Sequence, residues 1–308
     1  MRIVFAGTPG VAEPTLRALH AAGHTIVAVL TREDAPRGRK RVMTPSRVAL
    51  VAEELGLSVV KSNRLGPEVT EQLLAYEPEV GVIVAYGGLL REPLLSGPTH
   101  GWINLHFSLL PAWRGAAPVQ RSLMAGDSVG GVTVFRLVAE LDAGEILVQD
   151  TEVINPNATA GDVLAHFAVA GADTVLRALS GLNEGTLVPE MQKGDSSYAH
   201  KLTLDDARLD WQEPAERVYN RYRGVTPEPG AFTVVGGQRL KVAALLPLDK
   251  AIAAVNVPPG HIILHDGQLI VGTGTTPLVL LHVQPAGKRE MAATDWFRGL
   301  REETVVTE

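Results

Sequence analysis

A chain of 308 residues exceeds the roughly 250 at which a single hydrophobic core stops growing, so two domains are expected. Its 45% hydrophobic and 20% charged content is ordinary for a soluble globular protein, and the 0 cysteines exclude disulfides, thiolate metal sites and a cysteine nucleophile. The formal charge of -6 gives no global attraction to nucleic acid, so any contact with RNA has to come from a local patch.

The opening MRIVFAGTPG is too short a greasy stretch for a secretory signal, and no apolar run is read as approaching the roughly 20 residues that span a bilayer. A cytoplasmic protein with no membrane partner is expected. Ile3 to Ala6 is a short apolar run ending in Gly7-Thr8-Pro9-Gly10, after which Leu16, Leu19 and His20 recur at helical spacing: strand, tight turn, helix. Further apolar runs at Thr25 to Leu30 and Val80 to Ala85, the latter after a helical stretch around Val69 to Tyr76, predict crossovers and a parallel sheet. Trp102 to Leu105 reads as a central strand, Val132 to Leu137 and Glu145 to Val153 as two more, and Ala160 to Leu182 as a long amphipathic helix. This first domain is placed at 1–188. Periodicity fades over 189–206, read as a linker, and 207–308 carries short strands separated by Gly, Pro and Asp, as in a small antiparallel barrel.

The densest chemistry lies between Asn104 and Pro118. Asn104 and His106 stand at i and i+2 of a strand, so both side chains face the same way, at the carboxyl end where open α/β sheets bind ligands. A carboxamide beside an imidazole suits a reaction that develops negative charge on a carbonyl oxygen and moves one proton. Spacing alone leaves a purely structural histidine open. Asp142, in Leu141-Asp142-Ala143-Gly144, is a third candidate: a carboxylate able to hold an imidazole in one tautomer, or a turn residue capping its own backbone.

Asn104, His106 and the run Ser108-Leu-Leu-Pro-Ala-Trp-Arg-Gly-Ala-Ala-Pro118 resemble the signature of the 10-formyltetrahydrofolate-dependent formyltransferases, and most closely their tRNA-directed branch. Phe5 to Pro9, Val84 to Gly87, Leu141 to Gly144, Asp210-Trp211 and Arg223 to Pro227 extend the likeness along nearly the whole chain. The resemblance implies a Rossmann-like parallel-sheet formyltransferase domain followed by an OB-like barrel that steadies tRNA. It implies transfer of the formyl group of 10-formyltetrahydrofolate to the amino group of methionine on charged initiator tRNA, for translation initiation, with no metal; a monomer is expected. It assigns Asn104 to the formyl oxygen, His106 to proton transfer and Asp142 to orienting the histidine or a proton-carrying water. The folate is expected against Tyr86, Gly87, Gly88, Leu89 and Leu90, and against Ser108, Leu109, Leu110 and Pro111. The chain departs from the family's usual pattern at Gly10 and Val11, and at Arg91, where a proline is more common.

Residues 32–47 hold Arg32, Arg37, Arg39, Lys40, Arg41 and Arg47 against Glu33 and Asp34. This basic loop leaves the second strand on the same side of the sheet as the site, and the resemblance makes Arg37, Arg39, Lys40 and Arg41 candidates for the acceptor end of tRNA. Arg217, Arg221 and Arg223 offer a weaker patch in the second domain. A dinucleotide oxidoreductase is disfavoured, since the G-x-G-x-x-G spacing is incomplete and no acidic residue closes the second strand. A formyltransferase acting on an amino-sugar nucleotide shares the trio and the fold and is the closer alternative.

Overall fold

The computed structural model describes residues 1–38, 40–248, 255–300, 302 and 304–308. The chain forms two compact units, one of Met1–Pro118, Gly130–Glu152 and Leu164–Ala199, the other of Val119–Val129, Val153–Val163 and His200–Glu308.

The first unit is built on seven strands: β1 (Arg2–Gly7), β2 (Thr25–Thr31), β3 (Val59–Lys61), β4 (Val80–Val84), β5 (Trp102–His106), β6 (Val129–Arg136) and β7 (Ile146–Val153). Their order is β7-β6-β5-β4-β1-β2-β3, with β1, β2, β3, β4 and β5 parallel and β6 antiparallel to β5. Strand β4 is buried at every position and β1 at all but its first, the continuous apolar run expected of strands covered on both faces. The parallel register brings the ends of β1, β2, β4 and β5 to one carboxyl edge. There Thr8 Oγ1 donates to the Tyr86 carbonyl at 2.9 Å, tying the first and fourth connections together.

The elements match the sequence expectation closely, with additions where charge masks periodicity. Arg47–Glu54 is a helix whose N-cap Ser46 accepts from the Ala49 amide at 3.0 Å, and the basic loop is a hairpin pairing Ala35–Arg37 with Val42–Thr44. The helix Ala160–Glu184 is long and apolar enough to cross a membrane by length and composition, against the reading that no run is, and half of its most apolar window is buried. It behaves as a core helix. Phe167, Ala172, Val175, Ala178 and Leu179 are buried, while Thr174 and Arg177 both donate to Asp150 on β7 and His166 pairs with Glu152.

The second unit is the expected antiparallel sheet, in the order Phe232–Val235, Gln238–Pro247, Leu278–Pro285, Gln268–Val271, His261–His265, Val305–Val306. An antiparallel bridge between Val235 and Thr307 joins the first strand to the last, so the sheet closes on itself. Closure removes the exposed edges that would otherwise pair with other chains. Trp211, Tyr219, Tyr222, Leu240, Trp296 and Phe297 belong to its core. Of the arginines read as a patch, Arg217 is exposed and Arg221 half-buried, but Arg223 is buried, donates to the Ala158 carbonyl and to Asn220, and lies over the Tyr219 ring.

Gly81 on β4 sets the seating of β5. It pairs with Trp102, whose fully buried indole donates to the Leu94 carbonyl at 2.8 Å, and a Cβ on Gly81 would lie 2.1 Å from the indole ring. Gly81→Ala should therefore destabilise the protein by about 1–3 kcal/mol, the usual cost of overpacking a filled core. Denaturant unfolding measures this, and a midpoint equal to wild type would show that β5 does not depend on this contact.

Candidate active site

Strand β5 ends the site's scaffold. Asn104 is half-buried, and among the described residues its carboxamide has no hydrogen-bond partner. Two residues on, the His106 ring is 5% exposed, edge-on to Phe135 at 6.3 Å between centroids. His106 Nε2 lies 2.8 Å from the Trp113 carbonyl oxygen. A carbonyl only accepts, so Nε2 carries the proton and Nδ1 has the free lone pair. Nδ1 faces Asp142 Oδ2 at 3.8 Å. Burial pushes the imidazole below the usual histidine range; the Asp142 carboxylate and the Trp113 carbonyl pull the other way without cancelling it. The ring is thus neutral near pH 7, with its basic nitrogen aimed at a carboxylate.

The turn after β5 is pinned from beneath. Thr133 Oγ1 on β6 donates to the Ser108 carbonyl at 2.6 Å and accepts from the Leu110 amide at 3.2 Å and from Gln149 Nε2 at 2.8 Å. Ser108 Oγ donates to the Ala112 carbonyl at 2.6 Å. With Ser108 and Leu110 buried, the turn presents Leu109, Pro111 and main chain outward.

Asp142 is 9% exposed and stands at φ 47°, the left-handed region that costs a residue with a Cβ roughly 1–2 kcal/mol. Its Oδ2 accepts from the Gly115 amide at 2.8 Å, so the carboxylate is tied to the loop that carries Trp113. Gly144, two residues later, has no room for a side chain, because a Cβ there would lie 1.7 Å from the Arg136 carbonyl oxygen. The sequence run Leu141 to Gly144 is thus a turn and a carboxylate site at once.

The remaining sequence candidates divide. Tyr86 is buried and its hydroxyl donates to the Ser62 carbonyl at 2.9 Å, and Leu90 is buried too, so their side chains face the core. The loop's outward groups are Gly87, Gly88 and Leu89, the last 68% exposed. Arg37, Lys40 and Arg41 are exposed on the hairpin, beside exposed Val42 and Met43, while Arg39 lies outside the described residues. Among the described residues, no hydrogen bond or ion pair links the hairpin to Asn104, His106 or Asp142. Sequence reading missed Thr133, Gln149, Gln192 and Ser197, which brace the site. Nothing local marks them, since each acts on residues 16 or more positions away.

Residues 1–179 match the family model described as formyl transferase, and residues 201–301 match that of the formyl transferase C-terminal domain. The chain is 53% identical to the methionyl-tRNA formyltransferase of Leifsonia xyli, covering 100% of both, and 52% identical to that of Paenarthrobacter aurescens, covering 97% of both. Its fold is similar to that of WlaRD, a sugar 3N-formyl transferase solved in the presence of dTDP and 5-N-formyl-THF (TM-score 0.68, 16% identity, 94% of this chain and 99% of that one). The chain belongs to the formyl transferase family, in the branch that formylates methionyl-tRNA.

Proposed function

We propose that the formyl donor is 10-formyltetrahydrofolate, that the acceptor is the amino group of methionine on charged initiator tRNA, and that Asn104, His106 and Asp142 carry the transfer. The observation that carries this reading is the presence, at one sheet edge, of a carboxamide unpartnered among the described residues, an imidazole with its lone pair on Nδ1, and a buried carboxylate. The folate supplies a formyl group already bonded to a nitrogen that can leave. Asn104 donates to the formyl oxygen as negative charge grows there, an interaction whose removal typically costs about 100-fold or more in rate. His106 accepts at Nδ1 the proton lost by the attacking amine and returns it to the departing nitrogen. Asp142, 3.8 Å away, stabilises the imidazolium while it lasts.

Leu89 with the main chain of Gly87 and Gly88, and the turn Ser108 to Pro111, are proposed to meet the folate, which the exposure of Gly87 and Leu89 supports. Arg37, Lys40 and Arg41, together with Arg39, are proposed to grip tRNA phosphates. The exposure of these cations, apart from Arg39, and their lack of acidic partners among the described residues support this. The enzyme is read as a cytoplasmic monomer, where charged tRNA is found.

The direct test offers 10-formyltetrahydrofolate with Met-charged initiator tRNA, uncharged tRNA or an amino-sugar nucleotide. Formylation confined to the charged tRNA is expected, and formylation of the sugar alone would leave the trio standing but remove the RNA role of the hairpin. The pH dependence has a definite sign. The base form of His106 exists above its pKa, which burial holds below the ordinary 6.5, so kcat/KM should fall only on acidification below that value. Asp142→Asn removes an attraction that raises this pKa, so the plateau should drop and the acid limb move to lower pH; a limb moving upward would contradict the pairing. For the hairpin, Lys40→Ala or Arg41→Ala should weaken tRNA binding and reduce the slope of log affinity against log salt by about one. Folate KM should stay unchanged, and equal loss for both substrates would remove the hairpin from RNA recognition.

A further inference from the structure

The stretch 190–199 has no helix and only a two-residue strand, yet it touches both halves of the catalytic pair. Glu190 exchanges two backbone hydrogen bonds with Ile146 at the start of β7, at 2.7 and 2.9 Å. Gln192 Nε2 then donates to the Asp142 carbonyl at 2.8 Å and to the Gly144 carbonyl at 2.9 Å. Its Oε1 accepts from Arg114 Nη2 at 2.7 Å and Nε at 3.2 Å. The orientation of this amide is forced, because a guanidinium only donates and carbonyls only accept. Five residues on, Ser197 Oγ accepts from the Trp113 amide at 2.9 Å, the Ser197 carbonyl accepts from the Arg114 amide at 2.8 Å, and Tyr198–Ala199 pairs with Arg114–Gly115.

Among the described residues, Asp142 and Trp113 face the His106 ring nitrogens, and both sit in left-handed backbone conformations, at φ 47° and 64°. Such conformations persist only where the surroundings over-determine them. Gln192 supplies that restraint at Asp142 and Ser197 supplies it at Trp113. We infer that Gln192 is a positioning residue for formyl transfer: through the Asp142 and Gly144 carbonyls it holds the Asp142 carboxylate against His106 Nδ1, with Arg114 fixing the amide and Ser197 the opposite side of the ring. This rests on the reading that Asp142 and His106 act together in catalysis.

The test compares Gln192→Met, Gln192→Glu, Asp142→Asn and the double variants in steady-state formylation of Met-charged tRNA. Methionine keeps the side chain's length but removes both donors. Glutamate keeps a partner for Arg114 but cannot donate to the two carbonyls, so it separates a role toward Asp142 from mere packing on Arg114. Both single Gln192 variants should lower kcat by about 10- to 100-fold, the scale of a catalytic group displaced by about 1 Å. KM for tRNA and folate and the unfolding temperature should stay near wild type. The acid limb of kcat/KM should move to lower pH, as in Asp142→Asn, and neither substitution should lower kcat further when Asp142 is already asparagine, since a positioning residue has nothing left to position. A Gln192→Met or Gln192→Glu enzyme with wild-type kcat, beside an impaired Asp142→Asn, overturns the inference and leaves the catalytic pair intact. So does a loss fully additive with that of Asp142→Asn. Wild-type turnover in Asp142→Asn itself overturns the catalytic pair, and the inference with it.

Discussion

A buried imidazole must have both nitrogens accounted for, and the site is organised around how that is done for His106. The Trp113 carbonyl on Nε2 allows one neutral tautomer, which leaves the lone pair on Nδ1 facing Asp142. Burial disfavours the charged ring, and the Asp142 carboxylate offsets part of that penalty. The two partners come from different segments, so the placement of one imidazole ties together the loop after β5, the turn before β7 and the stretch 190–199. Each backbone excursion at Trp113 and Asp142 is unfavourable alone and is held by hydrogen bonds from that third segment.

The sheet explains why these segments can meet. Parallel strands deliver successive connections to one carboxyl edge, and the antiparallel β6 lies beside β5 so that Thr133, opposite His106, reaches the turn beyond the strand. Gly81 lets the Trp102 indole fill the space next to β4, which seats β5 and with it Asn104 and His106. Side chains on a strand end are more rigidly placed than those on a free loop, and here the loop beyond is itself anchored.

The sheet, the barrel strands and the carboxyl-edge position of Asn104 and His106 were legible because each depends on local pattern: apolar runs, turn residues and the period of two. Asp142 was legible only in company, since an aspartate two residues before a glycine reads as an ordinary turn. Gln192 and Ser197 were not legible, because a hydrogen bond 50 or 84 residues away leaves no trace in periodicity. Side-chain direction was equally hidden. Tyr86 sits in the segment expected to meet folate, but the Ser62 carbonyl takes its hydroxyl inward, so the loop is left with Leu89 and main chain.

Charge shows the same dependence on arrangement. The molecule carries -6, yet at physiological salt fields are screened beyond about 8 Å, so a phosphate at the hairpin tip responds to nearby groups rather than to the total. The acids of that segment are occupied at its base: Glu33 accepts from Asn63, and Asp34 pairs with Lys61 at 2.8 Å. In the second unit Arg217 lies near Glu213, Arg221 donates to the Asp206 carbonyl and Arg223 turns to the interior. Arginines close together in sequence therefore part company in the fold, Arg223 turning inward and Arg217 remaining at the surface beside Glu213, whereas the hairpin's Arg37, Lys40 and Arg41 are exposed with no acidic partner among the described residues. What attracts an anion is the cation left unpaired, and that is a property of packing, which a count of charges does not contain.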